Sequence, residues 1–344
     1  MARLLAKEKL GALIRGAMDK KYRVVGPARE HGIVLFGELS DPAALCLDEL
    51  NTQNSVKEFF FPKTEPILKY ALGKHDVALA DDFAAPRTVL IGGRACDARS
   101  LVALDRLFGW DYKDKFYFAR REATCVITLA CDRFDEACFC TSLGFGPRAP
   151  EGSDVLLVPV EGDAYLVEVV TDKGGALVAE LADIFTEGTP GAEKVAYPEK
   201  KFELAAIKPW LERNFEHPFW NEEFLACLGC GTCTYQCPAC YCFDIVDEGD
   251  IHGGQRCKNW DSCQLALFTR HTSGHNPRPT QASRWRQRLS HKFAYYPGKF
   301  GYEACVGCGR CIRNCPVGLS ILDKLVLIGR EAAAAPAEPA GAQP

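Results

Sequence analysis

Leu4, Leu5, Leu10, Leu13, Ile14 and Met18 recur at roughly helical spacing, which predicts an amphipathic helix at the start of the chain. Short runs rich in Val, Ile and Leu follow, each bounded by turn residues: Gly32 to Leu39, Arg87 to Ile91, Ala123 to Ala130, Val155 to Val160 and Tyr165 to Val170. They read as strands, and Glu161-Gly162-Asp163 between the last two reads as a hairpin connection. Gly175 to Phe185 and Pro198 to Phe215 read as helices. Residues 1–220 are therefore expected to form a mixed α/β domain. From Trp220 onward the strand signal largely disappears, so a boundary is expected near Pro218 to Asn221, with a mainly α-helical domain over residues 221–330. The fold class expected is α+β. Residues 331–344, EAAAAPAEPAGAQP, carry no apolar periodicity and are expected to be disordered.

At 344 residues with 47% hydrophobic and 25% charged content, the chain is ordinary for a two-domain globular protein. Apolar runs such as Val155 to Val160 and Leu325 to Ile328 fall far short of the roughly 20 residues a bilayer requires, so no membrane insertion is expected. A formal net charge of -4 gives no reason to expect nucleic acid. The charge is uneven, however. Between His252 and Lys299 there are nine basic residues (Arg256, Lys258, Arg270, Arg278, Arg284, Arg286, Arg288, Lys292 and Lys299) against one acid, Asp261. That stretch is either a solvated loop, a counter-charge to something anionic, or a dock for an acidic partner.

Cysteine usage changes the picture most. There are 18 cysteines, and the N-terminus from Met1 to Leu13 is charged throughout, without the apolar core of a secretory signal. The thiols are expected in a reducing, cytoplasmic compartment as metal ligands rather than disulfides. Two runs stand out: Cys227-x2-Cys230-x2-Cys233-x3-Cys237-Pro238 and Cys305-x2-Cys308-x2-Cys311-x3-Cys315-Pro316. Each is the cysteine signature of a bacterial two-cluster ferredoxin, in which the first three thiolates share one cube and the fourth ligates the other. The expected sets are Cys227, Cys230, Cys233 with Cys315, and Cys305, Cys308, Cys311 with Cys237. Structural zinc prefers two separated pairs, so two 4Fe-4S clusters are the reading of this spacing. Sixty-seven residues separate Cys237 from Cys305, too many for the smallest ferredoxin repeat, and point to a more helical ferredoxin domain with an insertion.

Cys96 follows one expected strand and Cys131 ends another, with Cys138 and Cys140 close behind. If the two strands are neighbours, these four thiols converge at one sheet edge and hold a third 4Fe-4S cluster. Cys125, within a strand, and Cys46, on an apolar helical face, read as core. Cys240, Cys242, Cys257 and Cys263 remain; Cys240 and Cys242 lie immediately beyond the crossing ligand Cys237, and these thiols either form another site or replace one of the expected ligands. Gly144-Phe145-Gly146-Pro147-Arg148-Ala149 is a poor dinucleotide fingerprint and there is no P-loop, so no flavin or nucleotide is expected on this chain.

The segments FFFPKTEPIL (59 to 68), GGRACDARSLVALD (92 to 105), CFCTSLGFGP (138 to 147), CLGCGTCTYQCPACYCFDI (227 to 245), NWDSC (259 to 263) and CVGCGRCIRNCP (305 to 316) resemble one family, that of the iron-sulfur electron-transfer subunits of anaerobic sulfite reductase and of sulfhydrogenase, in the latter the beta subunit. The resemblance runs from about residue 55 to 325. It implies an iron-sulfur electron-transfer subunit of a soluble complex. Such a subunit relays electrons between a catalytic subunit holding nickel-iron or sirohaem and a separate FAD-containing NAD(P)H oxidoreductase subunit. The resemblance also implies a cluster domain similar to α-helical ferredoxins. The family pattern takes in the eight ferredoxin cysteines, Cys96, Cys131, Cys138 and Cys140, and also Cys240, Cys242 and Cys263; Cys257 departs from it. The alternative is a catalytic iron-sulfur reductase acting on a small substrate at an incompletely ligated cluster, with His252, His271, His275 or His291 supplying protons.

Overall fold

The computed structural model describes residues 1–80 and 83–334. Twelve strands are present among them: β1 Ala2–Ala6, β2 Arg23–Glu30, β3 Ile33–Glu38, β4 Thr64–Leu72, β5 Val77–Ala80, β6 Thr88–Arg94, β7 Thr124–Leu129, β8 Val155–Val160, β9 Ala164–Val169, β10 Thr186–Gly188, β11 Phe243–Asp250 and β12 Gly253–Trp260. The helices are α1 Leu10–Asp19, α2 Ala95–Phe108, α3 Lys115–Ala123, α4 Asp172–Glu180, α5 Leu204–Arg213, α6 Phe219–Glu223, α7 Thr232–Tyr235, α8 Gln281–Ser290, α9 Tyr296–Phe300, α10 Arg310–Arg313 and α11 Ile321–Ala334. The class is α+β. No helix is long and apolar enough to cross a membrane among the described residues.

An eight-stranded sheet runs in the order β10-β1-β9-β8-β7-β6-β2-β3. Its centre, β2, β6, β7 and β8, is parallel, and both edges are antiparallel. Parallel strands covered on both faces need apolar residues at every position, and β6, β7 and β8 are buried throughout. Successive residues serve opposite faces. Val24, Val89, Cys125 and Ile127 pack with Leu13, Ile14, Leu177 and Val178 of α1 and α4. Their neighbours Val25, Leu90 and Val126 pack with Leu101, Leu104, Phe108 and Tyr117 of α2 and α3.

Two expectations need correction here. The opening helix is α1 alone, because Leu4 and Leu5 belong to β1, which pairs with β9 and β10. Pairing of the strand with β9 and β10 outweighs the chance helical spacing. The segment Gly175 to Phe185 is α-helical only as far as Glu180 in α4, after which a short 3-10 turn, Ala182–Ile184, leads into β10.

A second, four-stranded sheet has the order β11-β12-β4-β5. It adds a long hairpin, β11 with β12, to the region expected to be mainly helical. β12 pairs along its length with β4, from Gly253 opposite Ala71 to Asn259 opposite Thr64. Lys258 is buried in this sheet, with Nζ 2.8 Å from both Glu65 and Asp114. Another core joins Ile207, Trp210 and Leu211 of α5 to Trp220, Phe224, Trp285, Leu289, Leu325 and Ile328, together with Phe139 and Leu143. Packing is thus continuous across residues 218–221. Residues 331–334 of the Ala/Pro tail complete α11, and residues 335–344 lie outside the described residues.

Candidate metal centres

The two tripod loops are built alike. Gly229 and Gly307 have φ +70 and +58, and Gly231 and Gly309 both have φ +75. Such left-handed positions, either side of the middle cysteine, favour glycine. They curl the backbone so that successive N–H groups and thiols face one hollow, as an anion nest does. Gly307 has a second constraint: a Cβ there would meet Cys140 N at 2.6 Å.

Cys227, Cys230, Cys233 and Cys315 line one cavity with Cys311, Trp285, Pro316 and Leu319. Donors point at these sulfurs. Trp285 Nε1–H donates to Cys227 Sγ at 3.0 Å, Gly229 N–H to the same atom at 3.4 Å, and Leu319 N–H to Cys315 Sγ at 3.2 Å. Thr232 Oγ1 lies 3.4 Å from Cys230 Sγ, and hydrogen bonding to Thr232 pulls the Cys230 thiol below its ordinary range. Cys230 is exposed, beside Leu225 and Leu228, which are 87% and 69% exposed. Replacing Trp285 by Phe is expected to lower the midpoint potential of the centre held here, because an N–H donor to sulfur favours the more negative, reduced state. Losing about 1 kcal/mol of differential hydrogen bonding corresponds to about 40 mV for one electron. A redox titration followed by EPR reads the shift; an unmoved potential would mean that the contact does not tune the centre.

Cys305 and Cys308 lie beside Cys311, and Cys237 packs with Ala304, the residue before Cys305. Lys292 stands between them, its Nζ donating to Cys237 Sγ at 3.3 Å while its charge also faces Cys305. Burial pushes the Cys311 thiol up to about 12. In the absence of an attached cation this thiol stays protonated, so any metal seated here must displace the proton.

The four N-terminal cysteines also meet. β6 and β7 are parallel neighbours, with Arg94 opposite Leu129, so the residues just beyond them emerge at the same carboxyl edge of the sheet. Cys96, in the first turn of α2, and Cys131 line a single cavity with Cys138, Cys140 and Cys308. Desolvation raises Cys131 to about 11 and Cys140 to about 12. The second tripod loop is docked onto this site: Phe139 N–H donates to Gly307 O at 3.0 Å. Arg313 forks onto Asp135 at 2.6 Å and reaches Cys138 Sγ at 3.3 Å and Cys308 O at 2.8 Å. Arg310, fully buried, donates to Asp97 Oδ1 at 2.7 Å and to Thr52 O and Oγ1 at 2.9 and 3.0 Å.

Of the remaining thiols, Cys125 is core as expected. Cys46 is a correction: it is only partly buried, in a loop beside Arg29 and Asp48 rather than on a helix. Cys257 is buried in β12 against Glu248. Cys240 and Cys237 are adjacent, and so are Cys242 and Cys263. Among the candidate histidines, His252, His271 and His275 lie on the surface, while His291 is enclosed with Nε2 2.7 Å from Tyr241 Oη and is lowered by burial to about 4.

The basic stretch resolves residue by residue. Arg256 pairs with Asp247 and Arg286 with Glu216, both on the surface side. Trp285, Arg288 and Lys292 are buried and face sulfur at spacings of three and four, one helical face carried through α8 into the π-turn His291–Tyr295. That spacing is present in the sequence, but basic residues on a helix ordinarily mark the solvent side, so it does not announce a buried face.

The donor set suits iron-sulfur clusters: cysteine sulfurs line two hollows, and N–H donors and buried cations are aimed at the sulfurs, as anionic clusters require.

Known proteins agree with this chemistry. The family model of a 4Fe-4S dicluster domain matches residues 226–319. Sulfhydrogenase 2 subunit beta of Pyrococcus furiosus is 32% identical over 319 residues, spanning 88% of this chain and 92% of that protein. No solved structure matches. An iron-sulfur protein that handles electrons accounts for both similarities, and the chain belongs to the family of sulfhydrogenase beta-type subunits.

Proposed function

We propose that the chain relays electrons within a multisubunit redox complex, between an FAD-containing subunit that oxidises NAD(P)H and a catalytic metal subunit such as a nickel-iron hydrogenase or a sirohaem sulfite reductase. Residues 221–330 would act as the dicluster domain, with Cys227, Cys230, Cys233 and Cys315 holding one 4Fe-4S cluster and Cys305, Cys308, Cys311 and Cys237 the second. Cys96, Cys131, Cys138 and Cys140 would hold a third. When bound, the clusters supply one-electron storage at potentials set by their surroundings. The name of the relative, a sulfhydrogenase subunit beta, supports a role inside a complex.

One observation carries the relay reading. Cys308 lines the cavity of Cys96, Cys131, Cys138 and Cys140, and Cys311 lines the cavity of Cys227, Cys230, Cys233 and Cys315. The second tripod therefore stands between two other cysteine sites, an arrangement suited to a line of three. The chain's own work is to hold that line rigid, shield its middle from water and grade it electrostatically. Cys305 and Cys308 are buried while Cys230 reaches the surface, so one end is open to a partner.

Anaerobically prepared protein is expected to contain acid-labile sulfide and no fewer than about 12 irons per chain. A lower count would reject the three-centre line. Reduction of sulfite or a disulfide by the isolated chain with a reduced dye would reject the relay in favour of direct catalysis.

A further inference from the structure

Three cations lie buried around Cys240 with no carboxylate to pair with. Lys57, Arg288 and Lys292 are 2%, 2% and 3% exposed, and none of the three forms an ion pair with an acid among the described residues. Lys57 Nζ donates to Thr234 O and Cys240 O at 3.2 and 3.0 Å and sits over the Trp260 ring. Arg288 donates from Nη1 to Cys240 Sγ at 3.3 Å and from Nη2 to Cys233 O at 2.6 Å, while its Nε is enclosed without a partner. The groups these cations face are thiols: Cys240, Cys237 and Cys242 for Lys57, Cys233, Cys240, Cys237 and Cys311 for Arg288, Cys237, Cys240 and Cys305 for Lys292.

Buried charge without a counter-charge is strongly unfavourable. A 4Fe-4S cube on four thiolates carries about two negative charges. Arg288 faces Cys233 of one proposed cube and Cys237 and Cys311 of the other, and Lys292 faces Cys237 and Cys305, whereas Lys57 faces, besides Cys237, the unassigned thiols Cys240 and Cys242.

The fold brings Cys242 and Cys263 beside Cys240. β11 leaves just after Cys242 and β12 returns just before Asp261, with Phe243 opposite Trp260 in the register. Asp261 N–H closes the base of the hairpin on Cys242 O at 2.9 Å, which sets Cys263 beside Cys242. Cys240 is held one turn back by its N–H bond to Cys237 O at 3.3 Å, and its thiol faces both Cys242 and Cys263. Gln264 Nε2 adds a donor 3.6 Å from Cys263 Sγ. None of the three thiols belongs to the sets already assigned.

We infer that Cys240, Cys242 and Cys263 form a fourth iron-sulfur site, beside the Cys237 cluster, in which three thiolates hold an anionic iron-sulfide cluster and its remaining position takes a ligand other than cysteine. A cube with three thiolates carries about one negative charge, placed beside Lys57 and Arg288. The hairpin then has a clear role: it is the clamp that joins Cys242 to Cys263.

The inference rests on the iron-sulfur reading of the other three sites, and iron counting separates the two. Full-length chain isolated anaerobically is expected to contain about 15 or 16 irons with matching sulfide. About 12 overturns the fourth site and leaves the line of three intact; fewer than 12 overturns both. The double variant Cys242→Ser with Cys263→Ser is expected to lose about three or four irons and one component of the Mössbauer spectrum while the EPR signals of the other reduced centres remain. A variant with the same iron content as the parent overturns the proposal. Should the variant fail to accumulate, the iron and sulfide content of the unaltered chain still decides.

Discussion

Asp97→Ala is expected to destabilise the protein by about 3–5 kcal/mol, the cost of leaving a buried ion without its partner. Asp97 and Arg310 have side chains 2% and 0% exposed, and their contact at 2.7 Å fastens the second tripod loop to the start of α2. Asp97 also accepts the backbone N–H of Arg94 at 3.0 Å, so its loss uncaps the helix that carries Cys96. The change should appear in anaerobic denaturant titrations as a lower midpoint with little change in slope. Glu38→Ala, which breaks the surface pair with Arg23 at 2.7 Å, serves as the comparison and should cost less than about 1 kcal/mol. Equal effects from the two variants would show that the buried pair has no special weight. Replacing both partners, Asp97→Leu with Arg310→Met, should recover a large part of the loss, since no orphaned charge is left behind.

The second large effect concerns the N-terminal thiols. The double variant Cys138→Ala with Cys140→Ala should lose about four irons, because two of the four sulfurs that line that cavity are gone. The signals of the two ferredoxin-type centres should persist, since their eight cysteines are untouched. Iron analysis with EPR of the reduced protein tests this, and an iron content equal to that of the parent would remove the third centre from the relay. Arg313 keeps Asp135 as its main partner in the variant, so the loop itself should stay ordered.

The chemistry is more legible in the sequence than the architecture is. Cysteine spacing is read directly, because a tripod loop needs fixed intervals whatever surrounds it. The meeting of Cys96 with Cys131 is conditional on two strands lying side by side, and the parallel pairing of β6 with β7 supplies that condition. β2 escapes a reading from pattern because Gly26 and Pro27 interrupt its apolar run, though the sheet accommodates both at its β3 edge. The hairpin β11–β12 leaves no hydrophobic alternation to find: β11 is exposed at every position but Val246, which is itself half-buried, and reads as a solvated acidic loop. Leu4 and Leu5 mislead in the opposite sense, since a strand only five residues long cannot announce its period. Arg288 and Lys292 are hidden for a different reason. Their burial makes sense only once the sulfurs they face have been placed in three dimensions.

The pairing of β12 with β4, sealed by Lys258 between Glu65 and Asp114, limits how this protein can be taken apart. The stretch that looks like a portable electron-transfer cassette borrows a sheet neighbour and the counter-ion Glu65 from nearly two hundred residues upstream, and a second counter-ion, Asp114, from 144 residues upstream. Grafted elsewhere without them, it would carry a naked strand edge and an unmatched ammonium group, so evolution and engineering alike must move the two halves together.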